Sequence, residues 1–327
     1  MSEKFVVSSS PHISSDNYIC NIMKNVLVAL IPALLMGAYV FGIRAVVLTA
    51  VSIISCVVFE SLWNTVNKKE ETIGDCSACI TGALLAFILP VSVPLWIPVV
   101  GAFFAIIIVK QLFGGLGQNF LNPALGARAF LLASWPVAMT VYTKPFEKLP
   151  WIKSIQDIDA LSGATPLAVM KQSGEMSATY FDLFIGNVGG CIGEVSTVAV
   201  LIGFIYLLFK KIIKPHAPLA YILSTALFGW IIGYNGAFTG DPLFSVLSGG
   251  VLLGAVFMIT DYTTSPTTAL GNIIGGIVAG FLTVLIRVKG GYPEGVTYAI
   301  MVVNVITPLL DKYIQPKRYG GRKNEKR

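Results

Sequence analysis

The chain is poor in charged residues, and this deficit decides its class. Only 12% of its 327 residues are Asp, Glu, Lys or Arg, whereas a soluble globular domain carries about 25%. Hydrophobic residues make up 55% of the chain, and its mean hydropathy is +0.76. The 32 glycines and 17 prolines suit transmembrane helices, which tolerate both better than soluble helices do. The composition excludes a water-soluble surface and predicts a polytopic membrane protein.

The sequence also lacks the motifs of several enzyme classes. It has no P-loop and no GxGxxG fingerprint on a strand–helix unit, so we do not expect nucleotide hydrolysis or direct NAD binding. Its five cysteines do not show iron–sulfur spacing. Cys76 and Cys79 form a lone CxxC pair, which we interpret as small residues near a helix start rather than as a redox or metal site. We therefore predict no catalytic residue and no metal site in this chain alone.

Long apolar runs recur along the whole chain. A hydrocarbon core needs about 20 apolar residues per helix. By this measure we predict an all-α polytopic membrane protein with ten spans, at roughly 22–42, 45–63, 77–94, 95–113, 123–142, 185–209, 217–237, 243–260, 269–288 and 295–314. The third and eighth spans are short or broken.

The lysines and arginines predict the orientation of these spans. Fifteen of them lie on the side that holds both termini, against seven on the other side. Cytoplasmic loops carry the excess of basic residues, so both termini are predicted to be cytoplasmic in a multi-pass cell-membrane protein. The predicted organisation is a cytoplasmic segment (1–21), a first membrane repeat (22–142), an outward-facing loop (143–184), a second membrane repeat (185–314) and a basic cytoplasmic tail (315–327). The tail is expected to contact lipid or another subunit rather than nucleic acid.

The two membrane segments resemble each other. "TGALLAFILP" (81–90) is similar to "SGGVLLGAVFM" (248–258), and "GAFFAIIIVKQLFGGLGQNF" (101–120) is similar to "GGIVAGFLTVLIRVKGGYPEGV" (275–296). Five spans per half is an odd number, so two repeats would insert with opposite topology. Inverted repeats with broken helices are typical of transporters with a site at the repeat interface. The alternative is that glycine-rich apolar segments look alike by chance.

A polar stretch, "LSGATPLA" (161–168), stands out in the outward-facing loop. Three residues of little steric bulk precede its threonine: Ser162, Gly163 and Ala164. Pro166 biases Thr165 toward an extended backbone, so we expect the Thr165 side chain to project from the turn. Asp157 and Asp159, just upstream, are placed to hold a divalent cation for a modifying enzyme. From residue chemistry alone, an ordinary Ser/Thr turn is the favoured interpretation.

Resemblance to a known family changes that balance. "SGAT" matches the flavinylation motif of the NqrB and RnfD family, the membrane subunits of Nqr and Rnf complexes, and residues from about 20 to 319 resemble that family's membrane core. Three further blocks carry the resemblance in the same order: "LNPALGARAFLLASWP" (121–136), "FTGDPLFSVLSGGVLLGAVFMITDYTTSP" (238–266) and "GGYPEGVTYAIMVVNVITPLLDKY" (290–313). The compact N-terminus and the short outward loop are more similar to RnfD than to NqrB. Ala160 departs from the motif, which often has glycine there.

The resemblance implies a cofactor, partners and a function. Thr165 would carry FMN through a phosphoester bond, attached by a flavin transferase that takes FAD and releases AMP. The family also allows a second, non-covalent flavin, riboflavin. Rnf complexes couple electron transfer between ferredoxin and NAD to sodium or proton transport, so the chain would work only with partner subunits. The fourth residue of the motif is thus expected to be a tethering site.

Ionisable groups within the apolar segments are further candidates. Glu60, Asp241, Asp261 and Glu194 fall in or beside predicted spans. An acid at membrane depth is costly and by default marks a functional site, so we regard Asp261, Asp241 and Glu60 as a candidate cation pathway. The alternative is that these acids sit in interfacial water or cap helices.

The "QNFLNPALGARAF" segment (118–130) combines a helix-start signal with a buried charge. Asn119 and Asn122 precede Pro123, which favours a helix cap. The functional interpretation is a polar pocket for the second flavin, formed by Asn122. Arg128, further along the same helix, would face either a flavin phosphate or an acid on a neighbouring helix.

Two functions follow from these observations. The first is a flavin-carrying membrane subunit of an ion-translocating oxidoreductase, which passes electrons across the membrane. The second is an inverted-repeat channel or secondary transporter with no redox role, for which the repeats and broken helices are equally suitable. Thr165 discriminates between them, because a transporter has no use for a modified outward-facing threonine.

Overall fold

The computed structural model describes residues 19–69, 72–147, 162–234 and 236–315, and these residues are mostly helical. The α-helices, in chain order, are α1 (Ile19–Phe41), α2 (Ile43–Val66), α3 (Ser77–Phe87), α4 (Trp96–Phe103), α5 (Pro123–Ser134), α6 (Pro136–Thr140), α7 (Pro166–Ser173), α8 (Tyr180–Ile185), α9 (Thr197–Phe209), α10 (His216–Ile231), α11 (Pro242–Leu247), α12 (Val251–Leu253), α13 (Ala269–Lys289) and α14 (Val296–Tyr313). Asp157 and Asp159, and with them the predicted cation site for a modifying enzyme, lie outside the described residues.

Two helices widen into π-helical segments, and two pairs of short strands accompany the helices. Phe104–Gln111 continues α4, and Gly254–Met258 continues α12. Strand β1 (Tyr142–Thr143) pairs antiparallel with β2 (Ser162–Gly163), and β3 (Ile232–Gly233) pairs antiparallel with β4 (Gly236–Ala237). In the described part of the chain, these four two-residue strands accompany the helices and their connecting turns, and the hydropathy pattern does not predict them.

The helices agree with a membrane protein. Within the described ranges, α1, α2 and α13 are long and apolar enough to cross a membrane. Four shorter apolar helices accompany them: Ser77–Phe87, Trp96–Gln111, Thr197–Phe209 and His216–Ile231. The total of ten spans and the inverted repeats stay predictions.

One predicted span is wrong in its first half. Residues 185–209 were expected to form one helix, but α9 begins only at Thr197, where Ser196 caps it by accepting a hydrogen bond from the Ala199 amide at 3.4 Å. The preceding segment is irregular because its amides bond to the end of α3 instead. Gly193 N donates to Phe87 O at 2.9 Å, and Ile192 N donates to Leu89 O at 3.2 Å.

Small residues allow the helices to approach closely. A methyl group on Gly82 of α3 would lie 2.6 Å from the Cα of Ile53 in α2. A methyl group on Gly276 of α13 would lie 2.8 Å from the Cβ of Ala220 in α10. Close backbone approach through small residues is a common way for membrane helices to pack. These contacts fix the helices that carry the buried charges described below.

Candidate functional site

Thr165 is the N-cap of α7. Its backbone is extended, with φ −67° and ψ 153°, as Pro166 predicts, and its Oγ1 accepts a hydrogen bond from the Ala168 amide at 3.2 Å. Only 5% of the residue is exposed. The expectation that Thr165 projects from the turn is therefore wrong: its hydroxyl is held against the first turn of its own helix, and Ala164 is the exposed neighbour.

The pairing of β1 with β2 fixes the backbone at the start of the "SGAT" motif. Ser162 pairs with Thr143, and Gly163 pairs with Tyr142. A methyl group on Gly163 would lie 3.1 Å from Lys144 Cγ, so the small residue allows the two strands to lie close together. A larger residue at position 163 would require the Lys144 side chain to shift slightly.

Thr165 lies between two cavities. The outer one, of about 420 Å³, is lined by Gly163, Ala164, Thr165 and Lys171 among others, and its size falls within the range of ligand pockets, about 300–1,000 Å³. The inner one is narrow, about 20 Å³, and Thr165, Glu194 and Glu294 are on its wall. The threonine therefore separates a ligand-sized space from a buried acidic cluster.

Lys171 provides a positive charge at the outer cavity. Its Nζ donates to the carbonyl oxygen of Gly290 and, at 3.3 Å, to that of Tyr292. Partial burial lowers the pKa of Lys171 below its usual value. This side chain ties α7 to the segment before α14 and places an ammonium group on the wall of the ligand-sized space.

The acidic cluster joins distant parts of the chain. Arg128 of α5 forms an ion pair with Glu294, and its Nη2 lies 3.7 Å from Cys191 Sγ. Glu194 Oε1 accepts from the Cys191 amide at 3.2 Å, whereas the buried Glu194 Oε2 has no hydrogen-bond partner among the described residues. The Cys191 sulfur and one oxygen from each glutamate lie within 4.8 Å of one another.

Only part of this cluster was predictable from the sequence. Arg128 was predicted to face either a flavin phosphate or an acid, and it faces an acid. The sequence did not single out Glu294 or Cys191 as its neighbours. Glu294 stands in "GGYPEGV", where an acid beside glycine and proline resembles a solvated turn.

A second buried ion pair lies between α2 and the π-helical segment. Lys110 Nζ is 2.8 and 3.0 Å from the two Glu60 oxygens and 2.7 Å from Ser77 Oγ. Gln111 and Thr72 also donate to Glu60 Oε1, at 3.3 and 2.9 Å. The consecutive residues Lys110 and Gln111 reach the same carboxylate from a π-helical turn, a feature that is rare and frequent at functional sites.

Lys110 is buried, which the charge pattern does not show. It is one of the fifteen basic residues assigned to the side of the termini, and it is only 2% exposed; the side of the membrane on which it lies stays a prediction. Its ammonium group lies on the wall of a cavity of about 90 Å³, which Asn122 and Asp261 also line. Glu60 is therefore partnered, and Lys110 brings a polar group to the wall of a largely apolar cavity.

Asn122 and Arg128 do not share a pocket. Asn122 Oδ1 accepts from the amides of Ala124 and Leu125 at 3.1 and 3.4 Å, so the helix-cap interpretation is confirmed. Arg128 points instead to the acidic cluster. The two residues assigned to a second flavin thus line different sites, because they lie on different faces of α5.

The predicted cation pathway is also divided. Asp261 accepts from the Thr263 and Thr264 hydroxyls at 3.2 and 3.4 Å and lines the same cavity as Lys110. Asp241 lies elsewhere: it caps α11 by accepting from the Phe244 amide at 3.1 Å, and the Tyr180 hydroxyl donates to it. Asp241 therefore does not share a cavity with Asp261, and its part in a cation pathway stays a prediction.

Apolar helices with buried ion pairs and a polar loop define a helical membrane protein with an internal polar site. The sequence matches the model of the NQR2, RnfD, RnfE family over residues 6–320, and the chain belongs to this family. The resemblance drawn from the sequence motifs is thereby confirmed.

Relatives match over almost the entire chain. The Na(+)-translocating ferredoxin:NAD(+) oxidoreductase complex D-subunit of Acetobacterium woodii is 49% identical over 324 residues, covering 98% of this chain and 96% of that protein. The proton-translocating ferredoxin:NAD(+) oxidoreductase complex D-subunit of Clostridium ljungdahlii is 43% identical over 329 residues, covering 98% and 97%. The ion-translocating oxidoreductase complex D-subunit of Alcanivorax borkumensis is 34% identical over 338 residues, covering 98% of each. The homologues are thus subunits of ion-translocating oxidoreductase complexes.

Proposed function

We propose that this chain is the flavin-carrying membrane subunit of an Rnf-type ion-translocating ferredoxin:NAD oxidoreductase, with FMN attached covalently to Thr165. The observation that carries the proposal is the position of Thr165: the last residue of "SGAT" lies on the wall of a cavity of about 420 Å³. The chain would pass electrons between partner subunits and would not turn over alone.

The surroundings of Thr165 suit a phosphoryl group. Its oxygen sits at the N-terminus of α7, where the helix dipole stabilises negative charge by about 0.3–1 kcal/mol. Lys171 supplies a cation on the same cavity wall. Gly163 and Ala164 leave the approach to the hydroxyl free of large side chains. A phosphoester at this oxygen would therefore have both space and charge compensation.

The attachment step balances as a phosphoryl transfer. Thr165 Oγ1 forms a bond to the phosphorus of the FMN part of FAD, the pyrophosphate bond breaks, the hydroxyl loses its proton, and AMP leaves. Because the hydroxyl is buried and caps α7, we expect attachment to require opening of the first turn of that helix. The bound flavin exchanges one or two electrons, so it can connect one-electron and two-electron partners.

The second flavin and the ion pathway are proposed for the cavity beside Lys110. Riboflavin would contact Asn122 there and not Arg128, which belongs to the acidic cluster. The cavity of about 90 Å³ would have to widen to hold it. Asp261 and Lys110 line this cavity, and Lys110 is paired with Glu60, so we propose that a cation pathway passes here. Asp241, at the start of α11, would contribute to it only from a separate position. Both termini stay assigned to the cytoplasm and the Thr165 loop to the outer face.

The test is in-gel flavin fluorescence after denaturing electrophoresis, with each chain co-expressed with a flavin transferase. The native chain is expected to fluoresce, and Thr165→Ala is expected to be dark. Thr179→Ala is the matched control, because Thr179 caps α8 in the same way, through the Asp182 amide at 3.2 Å. It should fluoresce like the native chain.

Two results would overturn the proposal. A fluorescent Thr165→Ala chain would place the flavin elsewhere. Darkness of all three chains, with a transferase shown to be active, would exclude covalent FMN. The inverted-repeat channel or secondary transporter would then be the better function.

A further inference from the structure

Glu194 and Glu294 approach each other at the inner wall of the Thr165 cavity. Glu194 lies in the irregular segment before α9, and Glu294 lies just before α14. One carboxyl oxygen of each residue lies within 4.8 Å of the other. An ionised carboxylate only accepts hydrogen bonds, whereas a protonated one also donates. Two carboxyl groups this close can bond to each other only if one of them holds a proton.

The charges of the cluster support the same conclusion. Among the described residues, Arg128 is ion-paired with Glu294 alone, so a second ionised carboxylate would be buried without a cation from these residues in contact. Such a group is costly in an apolar interior unless it is paired or neutralised, and two carboxylates that share a site do not both ionise readily. One proton on the pair makes the group of Arg128, Glu194 and Glu294 neutral and gives the orphaned Glu194 Oε2 a role.

The other groups near the two glutamates do not change this balance of charges. Cys191 and Tyr142 are neutral in their ordinary state and face the cluster from the segment before α9 and from β1. Arg287 approaches from α13, but its two terminal nitrogens donate to Ser245 O at 2.6 Å and Ser248 O at 2.9 Å. Within the part of the chain that the structure describes, the ion pairs are Lys110–Glu60 and Arg128–Glu294.

A metal ion is a poorer occupant of the cluster. The spacing of Cys191, Glu194 and Glu294 would permit one. However, the guanidinium of Arg128 already contacts two of the three groups, Glu294 and the Cys191 sulfur. A fixed positive charge at that position repels a cation, whereas a proton shared between the two carboxyl groups needs no further space.

We propose that Glu194 and Glu294 form a proton-sharing carboxyl pair that lies directly beneath the Thr165 attachment site. The shared proton rests on the geometry of the pair alone. Its link to redox chemistry rests on the proposed function. Thr165 and both carboxyl groups line one narrow cavity, so an electron arriving on a flavin at Thr165 would strengthen proton binding by the pair.

The test is infrared spectroscopy of the full chain in detergent, prepared without the transferase, in H₂O and in D₂O. The native chain is expected to show a carbonyl stretch of a protonated carboxyl group that shifts in D₂O. Glu194→Gln and Glu294→Gln are each expected to remove this contribution completely, because the remaining carboxylate pairs with Arg128 and ionises. Asp182→Asn, at an exposed acid of α8, is the control and should leave it unchanged.

Other outcomes separate this inference from the proposed function. If either glutamine variant folds and keeps the band, or if each removes a different band, the shared proton is refuted. If Glu294→Gln does not fold, Glu194→Gln decides alone, since Glu194 has no ion pair to lose. In flavin-loaded chain, reduction should shift the band. If the infrared band behaves as expected but the chain proves to carry no covalent flavin, the shared proton is upheld. Only its proposed link to flavin reduction is then rejected.

Discussion

The Glu60–Lys110 pair gives the sharpest prediction about stability. Lys110 Nζ lies 2.8 Å from Glu60 Oε1, and the two side chains are 2% and 1% exposed. Removing one partner of such a pair leaves an uncompensated buried charge, which costs about 3–5 kcal/mol. Lys110→Met should therefore lower the thermal unfolding midpoint in detergent by on the order of 10 °C.

A second substitution tests the cause of that loss. Glu60→Gln combined with Lys110→Met removes both charges and keeps an acceptor for the Thr72 hydroxyl, so most of the lost stability should return. Lys68→Met makes the same side-chain change at an exposed lysine, and its effect should stay within about 0.5 kcal/mol. A double variant that is as unstable as Lys110→Met would refute the reasoning, because the unpaired carboxylate would not be the source of the loss.

Three further predictions concern other contacts. Gly82→Ala places a methyl group 2.6 Å from a backbone carbon of α2 and should lower the free energy of unfolding by about 1–3 kcal/mol through overpacking. Gly74→Ala, with open space around it, should leave stability unchanged. Equal unfolding midpoints for the two variants would contradict this prediction. Asn122→Ala should cost about 0.5–2 kcal/mol through loss of the α5 cap, and an unchanged midpoint would argue against the cap. The Thr179 hydroxyl lowers the pKa of Asp182, so this carboxylate stabilises the fold above its unfolded-state pKa. The contribution disappears as pH falls through the folded-state pKa. Asp182→Asn should therefore flatten that part of the acid unfolding profile, and an unaltered profile would refute the prediction.

Long hydrophobic runs predicted the bounds of the last two helices to within one residue. Ala269–Lys289 was expected at 269–288, and Val296–Tyr313 was expected at 295–314. The method failed at residues 186–196, a glycine-rich stretch inside a predicted span. Their amides bond to carbonyls of α3, about a hundred residues earlier in the chain, and hydropathy carries no information on such distant bonds.

The candidate site was predictable in its motif and not in its environment. "SGAT" is visible in the sequence, and the extended backbone before Pro166 follows from local sterics. The burial of Thr165 depends on the packing of α7 against the segments around Glu194 and Glu294. The burial of Lys110 was not predicted for a similar reason: its partner Glu60 lies 50 positions away, and a charge count along the chain carries no information on burial.

The ion pair between Arg128 and Glu294 has a consequence for the synthesis of the chain. The two residues are 166 positions apart, and ribosomes add about 5–20 residues per second. Arg128 is therefore made roughly 8–33 s before its partner exists. During that interval the newly inserted first half carries a guanidinium whose counter-charge has not been translated. The membrane insertion machinery must hold this helix in a hydrated or protected position until the last helix arrives.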